Sequence, residues 1–359
     1  MGMIEVRASL VGFPAGKRLL LLSEEDARRA GLRPYDRVRI SLGSKSATAL
    51  LSVVSGILSE GEAALSEELR SALGARKGDL IRVSMAERPR SFEAIRKKMR
   101  GEKISKEEIR RIVLDIRDGA LSKVELTAFV SALNFHGADM DEIEALTRAM
   151  AEAGSMLNFG DVLTVDKHGI GGVPGASKEA LIIVPIVAAA GLLIPKTSTR
   201  AIVSPAGTVD TMEVLAPVDL KADEIVEITK EIGGVICWTR SANISPVDSI
   251  LIERVEYPLS LDPEPLIYAS IMSKKYAAGI KRMVLDLPTG PEAKVETREE
   301  ARRIARNMMA LGERLGIIVE AAISYGGQPV GSCAGPALEA REVLEVLVSR
   351  GRGAGPAHD

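Results

Sequence analysis

Apolar and polar positions alternate in short bursts along the first part of the chain, and the period then changes. EVRASLV, KRLLLL, DRVRISLG, TALLSVV and DLIRVSM are β-type runs, with Gly12, Gly31, Gly43, Gly61 and Gly78 between or beside them. They predict a small β-rich domain over residues 1–86. ERPRS is a polar, Pro-containing join, after which SFEAIRKKMRG, SKEEIRRIVLDIRDG, SKVELTAFVSALNFHG and MDEIEALTRAMAEAG carry the helical period. Ser105 with Glu108 and Ser122 with Glu125 have capping-box spacing, and Gly119, Gly137 and Gly154 sit where C-terminal caps belong. A helical domain over 87–160 follows, one that later helices could join.

Beyond it, DVLTVD, LLIP, GGVICW, RMVLDLP and IIVEAAI are apolar β-type runs separated by helical stretches. That pattern predicts an α/β domain over 161–349, with its chemistry at the ends of the strands. The last residues, 350–359, are Gly-rich and polar and read as a tail. No internal repeat is visible. The fold class expected is therefore α/β with a separate all-α domain, preceded by a small β-rich N-terminal domain.

Bulk numbers change this picture little but exclude several functions. A chain of 359 residues exceeds the roughly 250–300 at which one hydrophobic core stops growing, so several domains are expected. Hydrophobic residues at 46% and charged residues at 27% are those of a globular protein. A net charge of −2 gives no global field to draw nucleic acid or anionic lipid, so an anion site must be local. Cys237 and Cys333 stand far apart with no CxxC or Cys/His cluster, which argues against zinc and disulfides and favours a cytoplasmic setting. There is no basic leader with an apolar segment and no run of about 18 apolar residues, so neither secretion nor membrane spanning is expected. Three His cannot form much of a metal site: His136 reads as packed and His358 lies in the tail. Met272 and Met283 read as core, and Trp238, the single Trp, offers no base-stacking platform.

Three segments carry candidate chemistry. The first is Asp166 to Gly175, DKHGIGGVPG, between a strand and a helix starting near Ser177. Its glycines let backbone N–H groups approach an anion, the helix N-terminus adds positive potential, and Lys167 would add a fixed charge. It has neither the GK[ST] of a Walker loop nor the GxGxxG spacing. A turn that binds nothing is the plain alternative. The second is Lys196 to Asp210, KTSTRAIVSPAGTVD, where Ser198, Thr199 and other hydroxyls with Lys196 and Arg200 offer donors to phosphate oxygens; a solvated loop capped at Thr208 is the alternative. The third runs from Glu253 and Arg254 through PLSLDP to ASIMSKKY. Ser270 and Lys274 are four apart and share a helical face, and Asp262 is a plausible acid. Solvated lysines and an Asp-Pro turn are the alternative there.

Together these segments resemble one family, the thymidine phosphorylase superfamily. IRKKMRGEKISKEEIRRIVLDIRDGALS looks like its opening helices, DKHGIGGVPG like its phosphate loop and ASIMSKKYAAG like its base-binding helix. The preceding β domain, KTSTRAIVSPAGTVDTMEVL, PLSLDP, LPTGPEAKV and GPALEAREVL are more similar to the archaeal AMP phosphorylase branch. The resemblance implies an α domain and an α/β domain that close over a cleft, a homodimer or larger homo-oligomer, and no cofactor or metal beyond inorganic phosphate as co-substrate. It implies substrate contacts from Gly172, from Thr199, Arg200, Ala201, Ile202, Val203 and Ser204, and from Thr208, Ser270 and Lys294. Asp262 falls on the branch's proposed proton donor to the leaving base, and Lys167, Ser198, Arg254 and Lys274 are additional candidate contacts. The implied reaction is phosphate plus AMP to adenine plus ribose 1,5-bisphosphate.

The chain departs from the family pattern in places. Gly169 stands where DKHS is usual, and Ala176-Ser177-Lys178-Glu179 replaces NKT-like residues with one residue more. A lost hydroxyl and an added carboxylate would weaken a phosphate site. Thr239 to Ser249 replaces GGALNLAPADD, Gly331-Ser332-Cys333 replaces a Gly-Arg start, and the family continues for on the order of 100 residues more, about a domain's length. A pyrimidine-nucleoside phosphorylase and a non-catalytic nucleotide-binding paralogue stay open as other readings.

Overall fold

The computed structural model describes residues 3–201 and 205–348. The chain forms two compact units, Met1–Arg90 and Ser91–Asp359.

In the first unit, β1 (Met3–Phe13), β2 (Leu19–Ser23), α1 (Glu24–Arg29), β3 (Arg37–Leu42), β4 (Lys45–Val54), β5 (Glu62–Ser66), α2 (Glu67–Leu73) and β6 (Leu80–Met85) build a closed barrel of order β1-β5-β2-β4-β3-β6. Alternate residues point inward, so Val6, Leu20, Leu22, Val38, Ile40, Leu51, Leu65, Ile81 and Val83 fill it. The expectation of no internal repeat is overturned here. LSEEDARRAGLRPYDRVRIS (22–41) and LSEELRSALGARKGDLIRVS (65–84) take equivalent places, and β1·β5 and β2·β4 are matching parallel pairs. Ser23 and Ser66 cap α1 and α2, Asp36 and Asp79 accept from Arg33 and Arg76 N–H, and Tyr35 and Gly78 both have positive φ. The echo is hidden because different apolar residues fill the two halves and Tyr35 stands where a Gly would mark the turn.

The second unit begins with four helices, α3 (Ser91–Met99), α4 (Lys106–Arg117), α5 (Lys123–His136) and α6 (Met140–Glu152). Both expected capping boxes form, and Asp139 with Glu142 adds a third. Glu142 is buried, paired with Lys98 Nζ at 2.8 Å and accepting the Ile104 N–H, which fixes the turn between α3 and α4. His136 is exposed rather than packed, its Nε2 3.1 Å from the Met99 carbonyl at the helix end.

The α/β part comprises β7 (Val165–Gly169), α7 (Ser177–Ala189), β8 (Ile194–Ser198), α8 (Thr208–Glu213), α9 (Ala222–Ile232), β9 (Gly234–Trp238), α10 (Pro246–Leu251), a π turn (Ile252–Glu256), α11 (Tyr257–Leu259), α12 (Glu264–Ala277), β10 (Arg282–Thr289), α13 (Arg298–Leu315), β11 (Ile318–Tyr325) and α14 (Pro336–Val348). All its strand pairs are parallel, in the orders β11-β10-β7 and β8-β9, linked by a bridge from Thr164 to Leu193. Parallel strands covered by helices require apolar runs, which is why RMVLDLP and GVICW were legible. The first strand lies later than the apolar DVLTVD predicts: its pairs with β10 start at Val165, so Asp166, Lys167 and His168 are strand residues.

Val247, Leu251, Val255, Leu266 and Ala269, from segments far along the chain, pack with α3–α6 in the helical core. Helix α12 serves two cores, giving Leu266 and Ala269 to that one and Tyr268, Ile271 and Met272 to the core under β10. Its remaining polar positions therefore fall at the junction between them. No helix among the described residues is long and apolar enough to cross a membrane.

Candidate active site

Where β7 ends, the chain turns through Gly171, Gly172 and Gly175, all at positive φ, before α7 begins. Gly172 lies against the loop after β10: a Cβ there would come within 2.7 Å of the Lys294 backbone N and 2.8 Å of its Cβ. Only glycine permits this approach. Lys294 in turn pairs with Asp262, in the loop before α12. Three predicted residues from three separate segments, Gly172, Lys294 and Asp262, thus meet.

Ser270 and Lys274 are one turn apart on α12, and the Lys274 ammonium donates to Ser270 Oγ at 2.9 Å and to Asp248 Oδ2 at 2.7 Å. Glu256 stands at the end of the π turn. Burial, reinforced by the charges of Asp248 and Asp262 and opposed by Lys274 and Lys294, pushes its carboxyl up to about 8. Such turns inside helices often mark functional positions. Arg254 is exposed on the same turn.

Under the glycine loop lies a buried charge network. Asp166 pairs with the fully buried Lys275, and Lys196 Nζ is 3.2 Å from Asp166 Oδ1. Burial, only partly offset by Asp166, brings the Lys196 ammonium down to about 8. Burial and the positive charges of Lys275, Lys196, Lys274 and Lys167 hold His168 well below its usual value, so its imidazole is neutral. Lys167 pairs with Glu179 and, at 2.9 Å, with Asp286 Oδ2. Burial opposes its charge, and the two carboxylates more than compensate, so its pKa is raised.

The loop after β8 is closed on itself by Asp210. One oxygen of this carboxylate accepts the N–H groups of Ala201 at 2.7 Å and Gly207 at 3.0 Å, gathering the two ends of the segment 201–207. Arg200 is held by Asp210 at 3.2 Å and Glu213 at 2.6 Å and lies over the Trp238 ring, 4.6 Å from its centroid. Its guanidinium is thus already engaged by carboxylates. Ser198 ends β8, its carbonyl accepting the Thr239 N–H, Thr199 begins the loop, and Thr208 opens α8. Ile202, Val203 and Ser204 lie outside the described residues.

Several residues of this site escaped sequence reasoning. Asp286 is brought beside Lys167 by strand register, which pairs Gly169 with Asp286; one acidic residue in an apolar strand was its signal. Glu256 and Asp210 had none beyond being acidic near helix ends.

A helical bundle joined to a parallel α/β layer with a glycine loop at a strand end is the architecture found by comparison. Residues 92–154 match the helical bundle domain of a glycosyl transferase family, and residues 161–358 match its a/b domain. The chain belongs to this glycosyl transferase family. Within it, it is 51% identical over 344 residues to AMP phosphorylase 1 of Archaeoglobus fulgidus, an alignment covering 96% of this chain and 68% of that one. The AMP phosphorylase of Thermococcus kodakarensis is 48% identical over 95% of this chain and 67% of its own, and that of Methanocaldococcus jannaschii 46% over 92% and 65%. The chain spans about two thirds of the length of these relatives. The archaeal branch that the sequence motifs resemble is therefore the one in which its relatives fall. Anthranilate phosphoribosyltransferase of Thermus thermophilus shares the fold, with a TM-score of 0.53 at 22% identity over 66% of this chain and 67% of that one.

Proposed function

We infer that this chain is a phosphorylase acting on nucleoside 5'-monophosphates, AMP first among them, converting AMP and inorganic phosphate to adenine and ribose 1,5-bisphosphate. The observation that carries the reading is the meeting of Gly172, Lys294 and Asp262, with the Ser270–Lys274 pair on α12, the helix that follows Asp262, in a chain about half identical to AMP phosphorylases. The glycine loop and the hydroxyl-rich loop after β8 supply N–H and O–H donors for two phosphate groups. Lys294 and Ser270 position the nucleotide, while Asp262 protonates or hydrogen-bonds the departing base as phosphate attacks the anomeric carbon. Holding two anions and a base in line is mostly a positioning task. The reading invokes no cofactor beyond phosphate as co-substrate.

Incubation with AMP, CMP or UMP and phosphate tests it. Release of free base with formation of ribose 1,5-bisphosphate is expected, whereas base released only from unphosphorylated thymidine or uridine overturns it in favour of a pyrimidine-nucleoside phosphorylase. A homodimer or larger homo-oligomer in the cytoplasm goes with the reading, and light scattering on the purified chain checks the assembly.

A further inference from the structure

We propose that Glu179 sets the affinity of this site for inorganic phosphate, by serving as the counter-ion of Lys167 that an incoming phosphate must displace. The proposal rests on the phosphorolysis reading, because it takes the glycine loop as the phosphate site.

Lys167, in the middle of β7, reaches over Gly169, its ammonium 3.5 Å from where a Cβ of that glycine would stand. Two carboxylates flank it, Asp286 and Glu179. At this ammonium two carboxylates face one positive charge, while the wider network with Asp166, Lys196 and Lys275 is balanced, and a carboxylate on the ammonium opposes an arriving anion. The two acids are held differently. Asp286 belongs to β10 and accepts a hydrogen bond from Ser324 Oγ at 2.5 Å, so its oxygens are fixed. Glu179 reaches in from the first turn of α7 and, among the described residues, its carboxylate has Lys167 as its side-chain partner. It is also the more exposed of the two, 29% against 14%.

Glu179 therefore has the freedom to swing into solvent while Asp286 does not. Near the N-terminus of α7 its carboxylate also takes up the positive potential that would otherwise favour phosphate. The exchange is a substitution of one anion for another at a single ammonium: phosphate gains Lys167, and Glu179 gives it up to be hydrated. An apparent defect of the loop is then a device that keeps phosphate binding weak and reversible.

Titration of inorganic phosphate into the full chain by calorimetry tests this, with Glu179→Gln, Lys167→Ala and the double variant alongside and thermal melts verifying folding. Glu179→Gln should bind phosphate about two- to fivefold more tightly, the scale of removing one partly exposed opposing charge, with a matching fall in the Michaelis constant for phosphate and little change in that for AMP. In the Lys167→Ala background the same substitution should yield a clearly smaller gain. Unchanged or weaker phosphate binding in Glu179→Gln overturns the proposal, as does an equal gain in both backgrounds. Tighter phosphate binding without base release from AMP by either parent or variant would sink the phosphorolysis reading and leave the role of Glu179 standing. Base release from AMP with an unaltered phosphate constant would do the reverse.

Discussion

Asp262 and Lys294 form an ion pair whose lysine also packs, through its backbone, on Gly172. Asp262→Asn should lower turnover by on the order of a hundredfold while nucleotide affinity stays near that of the parent. Lys294→Ala should act mainly on the Michaelis constant for AMP. Because the groups touch, the double variant should lose less than the product of the two single effects. Steady-state kinetics on the three variants reads this directly; full turnover in Asp262→Asn would move the proton-donor role to Glu256.

Gly172→Ala places a methyl group against the Lys294 backbone at a φ of 88°. The strained conformation should cost about 1–3 kcal/mol of stability, measured by denaturant unfolding. The displaced Lys294 should raise the Michaelis constant for AMP as well. A variant with parental stability and kinetics would show that the loop has room to yield.

Glu256 should make the stability of the fold depend on pH. A carboxyl raised from 4.5 to about 8 in the folded protein favours the folded state fully at pH below its unfolded value, and that contribution is lost as pH rises through about 8. Gln mimics the protonated form at every pH. Parent and Glu256→Gln should therefore melt together near about pH 5, while the variant melts a few degrees higher near about pH 9. A constant difference across that range would mean that Glu256 does not change its charge there.

The first four helices of the second unit were legible almost to the residue, since Ser105 and Ser122 with their Glu partners mark helix starts by local chemistry alone. The charge network was not legible. Asp166, Lys167 and His168 read as part of a loop because apolar residues stop at Val165, yet β10 supplies partners that carry the strand through to Gly169. Glu179 read as a defect of the loop because its partner Lys167 lies across a turn whose path no local pattern dictates. The carboxylate partners of Arg200 were not legible because Glu213, one of them, is set by the fold of α8. Strand pairing decides the first and pairing of charges across the fold the other two, and neither leaves a periodic trace.

The buried pair of Asp166 and Lys275 should be structural in its effect. Lys275→Met leaves Asp166 with Lys196 as its remaining ion-pair partner and should destabilise the chain by about 3–5 kcal/mol, the cost of breaking a buried ion pair from one side. Adding Asp166→Asn should restore part of that loss, read from denaturant unfolding. A Lys275→Met variant as stable as the parent would contradict the pairing.

Phosphate-dependent cleavage of AMP is the activity on which the roles of Gly172, Asp262 and Lys294 all depend. Purified chain, AMP and inorganic phosphate, followed by chromatography for adenine and by phosphorus NMR for the sugar product, measure it without an intermediary. Adenine and ribose 1,5-bisphosphate should appear in equal amounts, formed only when phosphate is present and abolished or greatly slowed in Asp262→Asn. Adenine formed equally well without phosphate, or no adenine at any phosphate concentration from a folded chain that binds AMP, would contradict it.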